Sequence, residues 1–336
     1  MQHDLLWGAL MALCVALVPN LIVAVIGKLQ KDIKAKLPPG EELKLLPGTI
    51  PWTIFFLACG ASVAAPVMFG WNGPDAAHGA SIRYWYPALL ATAGIAGASY
   101  FIAVVGLNAD GLGAGLSEII DSTLSPCFYL GLAALLAGSR PASFWATVVA
   151  IPLAVCGLAI VGSAPALWPA DHLPSKSTGL RPFDSPYALT LILCGVVGAL
   201  GTAFSLWLVR TGTHQFGTSL GFAVMCRYGG VAFVCLLLAV RDTKTSWPPL
   251  PLDLCVVTFL GGAFFIGGGF FAAVHIQSEA ATAASLILIP LVALAVEAML
   301  PRLGLARKKL NYGSPLLWSG IFFVTVGAFL LHWADH

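Results

Sequence analysis

The sequence predicts an all-α integral membrane protein whose ten transmembrane helices form two inverted five-helix repeats. Three observations predict it. Apolar residues make up 58% of the chain and charged residues only 10%, where a soluble domain carries about 25% charged. Ten apolar windows are each long enough to cross about 30 Å of hydrocarbon at 1.5 Å per residue. One polar, proline-rich break divides those windows five and five.

The windows are 5–27, 49–71, 85–107, 111–137, 143–163, 186–210, 218–240, 254–276, 279–300 and 313–333. Each must be a helix, because lipid offers an open backbone no hydrogen-bond partners and the alternating pattern of a barrel strand is absent. The first span follows Met1-Gln-His-Asp, which lacks a basic leader and a small-residue cleavage site, so it is expected to stay in the mature protein. Pro19, Pro66, Pro126, Pro152 and Pro290 fall inside spans, where neighbouring helices can satisfy the freed carbonyls. Tyr84, Trp85, Tyr86, Trp247 and Trp333 stand near span ends and read as interface anchors. The eight cysteines all lie within apolar segments and read as small packing residues.

The break at 164–185 holds four prolines together with Asp171, Lys176, Arg181 and Asp184. It links a first repeat, 1–163, to a second, 186–336. The fourth span of each half looks alike: Asp121-Ser-Thr-Leu-Ser-Pro126 and Ala284-Ser-Leu-Ile-Leu-Ile-Pro290. The fifth spans also match, with Phe144-Trp145 and Gly157 in one and Leu317-Trp318 and Gly327 in the other. An odd number of spans per repeat inverts the second copy, a plan that places a binding site at mid-membrane. Chance similarity between two helices rich in Leu, Ala and Gly is the competing explanation.

A formal net charge of +2 provides no basic field for nucleic acid, which is not expected as a partner. The histidines are scattered, and neither a His-Glu-x-x-His pair, a Gly-x-Ser-x-Gly turn nor a phosphate-binding loop occurs. An enzyme, a metal and a cofactor are therefore not expected. No ring of repeated polar groups suggests a channel.

Charges inside hydrocarbon usually face protein or water and often carry function. Glu118 and Asp121 lie on the fourth span at spacing i, i+3, and Ser125 continues their face one turn on. Arg227 is in the middle of the seventh span and Glu297 late in the ninth. Arg227 paired with one acid would leave the other to carry a coupled proton, its proton affinity raised by burial and by its neighbour. An ion-pair network that only locks the fourth span to the seventh is the structural alternative. Asn20 follows Pro19, where its amide either binds substrate or patches the weakened ladder. Trp52, Tyr100, Tyr129 and Trp207 are candidates for stacking against a solute, Tyr100 foremost because it is mid-span among Gly and Ala.

The five-plus-five layout, the short turn between the third and fourth spans and Leu124-Ser-Pro126 before an apolar run resemble the drug/metabolite transporter superfamily. Gly138-Ser139-Arg140 stands where that superfamily commonly closes its fourth helix with Gly-Glu. The Lys-rich stretch after the first span and the Gly-rich run from Gly94 to Gly115 are similar to its sugar-proton symporter branch. The resemblance implies a secondary carrier in the cell (inner) membrane, with a small polar, sugar-like substrate and a proton or other coupling ion as partners. Export of cationic or amphipathic compounds is the alternative cargo.

Lys28, Lys31, Lys34, Lys36, Lys44, Lys176, Arg181, Arg241, Lys244, Arg302, Arg307, Lys308 and Lys309 fall on odd-numbered connections. Only Arg83, Arg140 and Arg210 fall on the opposite side. Positive charge stays cytoplasmic, so both termini are expected outside. Many members of the superfamily place both inside.

Overall fold

The computed structural model of the 336-residue chain describes residues 2–34, 49–75, 80–107, 124–137, 144–163, 188–241, 250–299 and 314–333. Among these residues the chain is helical and contains no strand. The helices are α1 (Gln2–Lys34), α2 (Thr49–Phe69), α3 (Ala80–Leu107), α4 (Ser125–Leu132), α5 (Phe144–Ser163) and α6 (Ala188–Gln215). They continue with α7 (Leu220–Arg241), α8 (Leu252–Gly261), α9 (Gly267–His275), α10 (Glu279–Met299) and α11 (Pro315–Trp333). A π turn, Ala133–Ala137, extends α4, and another, Gly262–Ile266, fuses α8 and α9 into one rod.

Six described segments are long and apolar enough to cross a bilayer: His3–Leu29, Thr49–Phe69, Leu220–Arg241, Leu252–His275, Glu279–Met299 and Pro315–Trp333. They fit a membrane protein, as the composition predicts. The third, fifth and sixth sequence windows fall on α3, α5 and α6, and the fourth meets α4 from Ser125 onward. Glu118, Asp121 and the 164–185 linker lie outside the described residues.

Large apolar side chains point outward: Leu5, Leu6 and Leu13 from α1, Phe233 and Leu237 from α7, Val257 and Leu260 from α8, Phe322 and Phe329 from α11. Such a belt would aggregate in water and is matched by lipid. The interior is filled largely by alanine and by glycines that bring backbones together. On the seam between α5 and α11, a Cβ on Gly157 would stand 2.7 Å from the Val324 nitrogen, and one on Gly320 2.8 Å from the Val161 nitrogen. Side chains at either place would drive the helices apart.

Tyr86 departs from its expected role as an anchor. Its neighbours Tyr84 and Trp85 are 79% and 68% exposed, as anchors should be, but Tyr86 is only 2% exposed. Its hydroxyl donates to the Leu208 carbonyl at 3.2 Å, over the bare backbone of Gly212. Each helical residue turns about 100°, so Tyr86 shares the inward face of Leu90 and Ala93, away from its two aromatic neighbours.

Helix α1 packs on α9 and α10, α2 on α7 and α8, α3 on α6 and α7, α4 on α6 and α10, and α5 on α11. One end of this bundle collects the start of α1, the α2–α3 and α6–α7 connections and the α9–α10 joint. Backbone hydrogen bonds knit it: the Ser219 amide donates to the Asn72 carbonyl at 2.8 Å and the Asp75 amide to the Phe216 carbonyl at 3.0 Å. Gly70 and Gly217 make these tight connections with positive φ, 88° and 64°. Because α1 starts at this end and α6 finishes there, the two helices run in opposite directions.

Candidate functional site

A cavity opens between α1, α6, α7, α9 and α10. Met11, Val15, Val18 and Pro19 line it from the first half of the chain; Thr202, Leu206, Arg227, Tyr228, Ile266, Phe270, Leu286 and Ile289 line it from the second. Its inner space is about 110 Å³, room for several waters or a small solute at ~10–15 Å³ per water on the same measure. The α1 residues that line it sit near the middle of the His3–Leu29 span, which puts the cavity close to half depth. Pro19 cannot donate a backbone bond, so the Val15 carbonyl of this same wall lacks its usual helical partner.

Arg227 is the charged group on the lining, and it is 8% exposed. Its guanidinium carbon lies 4.7 Å from the centre of the Phe270 ring and 5.1 Å from that of Tyr228. Its Nε is buried without a hydrogen-bond partner, and among the described residues no carboxylate reaches it. A charge in hydrocarbon costs at least about 2.5 kcal/mol, and ring faces return about 0.5–2 kcal/mol. Among the described residues the site is left short of compensation.

Glycines of α3 make the slot for this arginine. A Cβ on Gly94 would stand 2.8 Å from the arginine Cγ and 2.5 Å from its carbonyl oxygen, and Gly97 faces Nη2. Gly94→Ala is expected to push α7 off α3 and cost about 1–3 kcal/mol, the usual range for overpacking. Thermal unfolding in detergent measures it.

A second polar cluster closes the knitted end of the bundle. Arg210, 5% exposed near the end of α6, donates to the Thr282 hydroxyl, to the Ala273 carbonyl at 3.3 Å and to the Gln277 carbonyl at 3.4 Å. Its Nη2 lies 3.7 Å from Glu279 Oε1, and the Tyr129 hydroxyl donates to Oε2 of the same carboxylate. Asp4 of α1 accepts from the amides of Gln277 and Ser278, both at 3.2 Å. Ser278 caps α10 in turn, its hydroxyl accepting from the Ala281 amide at 2.9 Å. The amides at a helix start attract negative charge, so the acids at positions 4 and 279 fit this joint.

Of the residues singled out from the sequence, Arg227 reaches the cavity. Asn20 is buried on the seam between α1 and α10, where its amide donates to the carbonyls of Ala16 at 2.8 Å and Ala293 at 3.2 Å. It bonds the carbonyl next to the one that Pro19 frees, at Val15, and ties α1 to α10. Ser125 is buried at the start of α4, one turn before Tyr129. Trp207 stacks on Phe204 with centroids 6.2 Å apart, and Trp52 packs on Phe55 and Phe56 in a separate cluster with Val25 and Leu254. Glu297 is half-buried on α10. Tyr100 lies on α3, with its side chain outside what is described, and Glu118 and Asp121 are outside altogether.

Sequence reasoning missed Arg210 as a buried residue, having counted it among loop charges, and missed Glu279 with it. The available signal was Arg210 at the end of an apolar run and one helical turn before His214, whose ring also meets a carbonyl of α9 at 3.0 Å. It missed the rings of Tyr228 and Phe270 on Arg227; the adjacency of residues 227 and 228 gave half of that signal.

No known protein family matches the chain, and no curated protein does. A solved structure described only as "Crystal structure of protein" superposes with a TM-score of 0.51 at 17% identity, covering 95% of this chain and 96% of the other. The likeness is one of fold, and it extends over nearly the full length of both chains.

Proposed function

We propose that this chain is a secondary carrier of ten spans, built as two inverted five-span repeats, that moves a small metabolite across the cell (inner) membrane with a coupled proton. The observation that carries the reading is a symmetry in the helix packing. Number the spans by the sequence windows, with α8 and α9 together as the eighth, and exchange each with the one five places on. The pairs 2–7, 5–10 and 4–9 then map onto themselves; 3–6 maps onto 1–8, 4–6 onto 1–9, and 3–7 onto 2–8, and every one of these pairs is in contact. The contacts between spans 9 and 10 and between spans 6 and 8 lack counterparts of like strength among the described residues, where α4 begins only at Ser125. The antiparallel course of α1 and α6 suits an inverted copy, and a half-depth cavity walled by both halves suits alternating access.

In this reading Arg227 is the fixed charge of the cavity, Glu118 and Asp121 are the proton carriers, and Ser125 continues their face. Membership of the drug/metabolite transporter superfamily agrees with it. Both termini are placed outside, because the lysine and arginine excess lies on the other face. Glu118→Gln and Asp121→Asn, reconstituted in vesicles, are expected each to cut uptake driven by a proton gradient at least tenfold while protein levels stay normal. Proton-driven uptake at the normal rate in both would remove them from the coupling.

A further inference from the structure

We infer that the Arg227 cavity binds a small organic anion: a carboxylate joined to an apolar body. The inference rests on the carrier reading and names its substrate class. Arg227 is more than nine-tenths buried, lines the cavity, and has an Nε with no hydrogen-bond partner among the described residues. Two ring faces hold the guanidinium, Phe270 at 4.7 Å and Tyr228 at 5.1 Å. The two rings stand 76° to one another, so at most one lies flat on the guanidinium; its Nε, unpartnered among the described residues, is an edge donor for a planar, bidentate acceptor, for which a carboxylate has the matching shape.

The remaining walls decide the body of the ligand. Met11, Val15, Val18, Ile266, Leu286 and Ile289 present hydrocarbon, and among the described lining Thr202 and Tyr228 alone add hydroxyls. A sugar would bring a ring of hydroxyls to walls that cannot bond them, and each unmade bond weighs against it. A cation would meet a fixed positive charge that has no described acid beside it. A branched or aromatic acid satisfies both parts: its carboxylate bonds the guanidinium and its apolar end meets the aliphatic wall.

Benzoate, benzamide and benzylamine share one shape and carry a negative, zero and positive charge at neutral pH. Each is titrated against the purified full-length chain in detergent, with melting temperature and calorimetry as readouts and sugars, amino acids and cationic dyes as comparators. Benzoate is expected to raise the melting temperature in a saturable way, with benzamide at least tenfold weaker and benzylamine inert. Arg227→Met should abolish the benzoate response, and Arg227→Lys should weaken it about tenfold, because the bidentate fork is lost. Ile289→Phe, which fills the cavity and leaves the arginine, should abolish it too, and covers the case in which Arg227→Met does not fold. Equal binding of benzoate and benzamide, or benzoate binding that survives Ile289→Phe, overturns the anion site. Stabilisation by sugars or cations with none by carboxylates overturns the substrate class and leaves the carrier standing. No response to any solute, together with no uptake into vesicles, overturns both.

Discussion

Gly262→Val is expected to lower the melting temperature of the purified protein by about 6–12 °C, or to abolish folded protein in detergent. A Cβ on Gly262 would land on the Leu57 carbonyl oxygen of α2, and one on Gly60 would land on the Phe259 carbonyl oxygen of α8. The two helices therefore touch backbone to backbone in both directions, and neither clash can be relieved by rotating a flexible side chain. Forcing them apart costs about 3 kcal/mol, the upper part of the overpacking range, and each kcal/mol moves the melting point of a chain of 150–250 residues by about 2–4 °C. Gly229 and Gly131 are the internal controls, since a Cβ on either meets nothing within 4 Å among the described residues. Alanine at those sites should hold or raise the melting temperature by a degree or two, because glycine in a helix forfeits about 0.5–1 kcal/mol. The same substitution type thus separates crowded from open glycines in one set of melts.

Glu279→Ala is expected to destabilise the chain by about 2–4 kcal/mol, and pairing it with Arg210→Met to restore most of that loss. Removing the acid strands a guanidinium that is 5% exposed, and a buried charge without its partner costs about 3–5 kcal/mol. Partial exposure of the Glu279 carboxylate, 31% by side chain, trims the figure. Arg210 keeps its bonds to Thr282 and two backbone carbonyls in the single variant, so the loss is that of the ion pair and of the acceptor for the Tyr129 hydroxyl. Methionine has nearly the length of the arginine stem and fills its path without a charge, which is why the double variant should recover. Denaturant or thermal unfolding of the four proteins in the cycle gives the coupling energy directly. Additive losses would mean that the two groups are independently solvated.

Much of this architecture is written in local composition, and the functional chemistry is written in long-range encounters. The apolar windows found all the described helices because hydrophobic length is a property of one segment. Arg227 was legible for the same reason: a charge in the middle of an apolar run must be compensated by something. Arg210 and Glu279 were not, because both stand where a span becomes a loop, and a charge there can turn either to water or inward. Their partners lie 63 to 72 residues away in the case of Arg210 and up to 150 in the case of Glu279. Tyr86 was misplaced by grouping it with Tyr84 and Trp85 by proximity, although its spacing to Leu90 and Ala93 carried the inward stripe. Asn20 was legible as one of two roles, and its bond to the Ala293 carbonyl on α10, 273 residues away, was written in neither.

The π turn at Gly262–Ile266 sets the phase between the two ends of a single rod. A π turn carries one residue more than the α-helical turn it replaces. α8 presents the Phe259 carbonyl, and the first residue of the turn, Gly262, its bare Cα, to α2; above the turn α9 presents Gly269 and Phe270 to the cavity, while Phe264 between them faces outward. Were that one residue absent, everything beyond the turn would rotate by about 100° relative to α8. Phe270 would then swing off the guanidinium of Arg227 while the glycine contact with α2 stayed where it is. One extra amino acid thus acts as an angular offset, letting a helix clamped to its neighbour at one end aim a ring at a charge at the other.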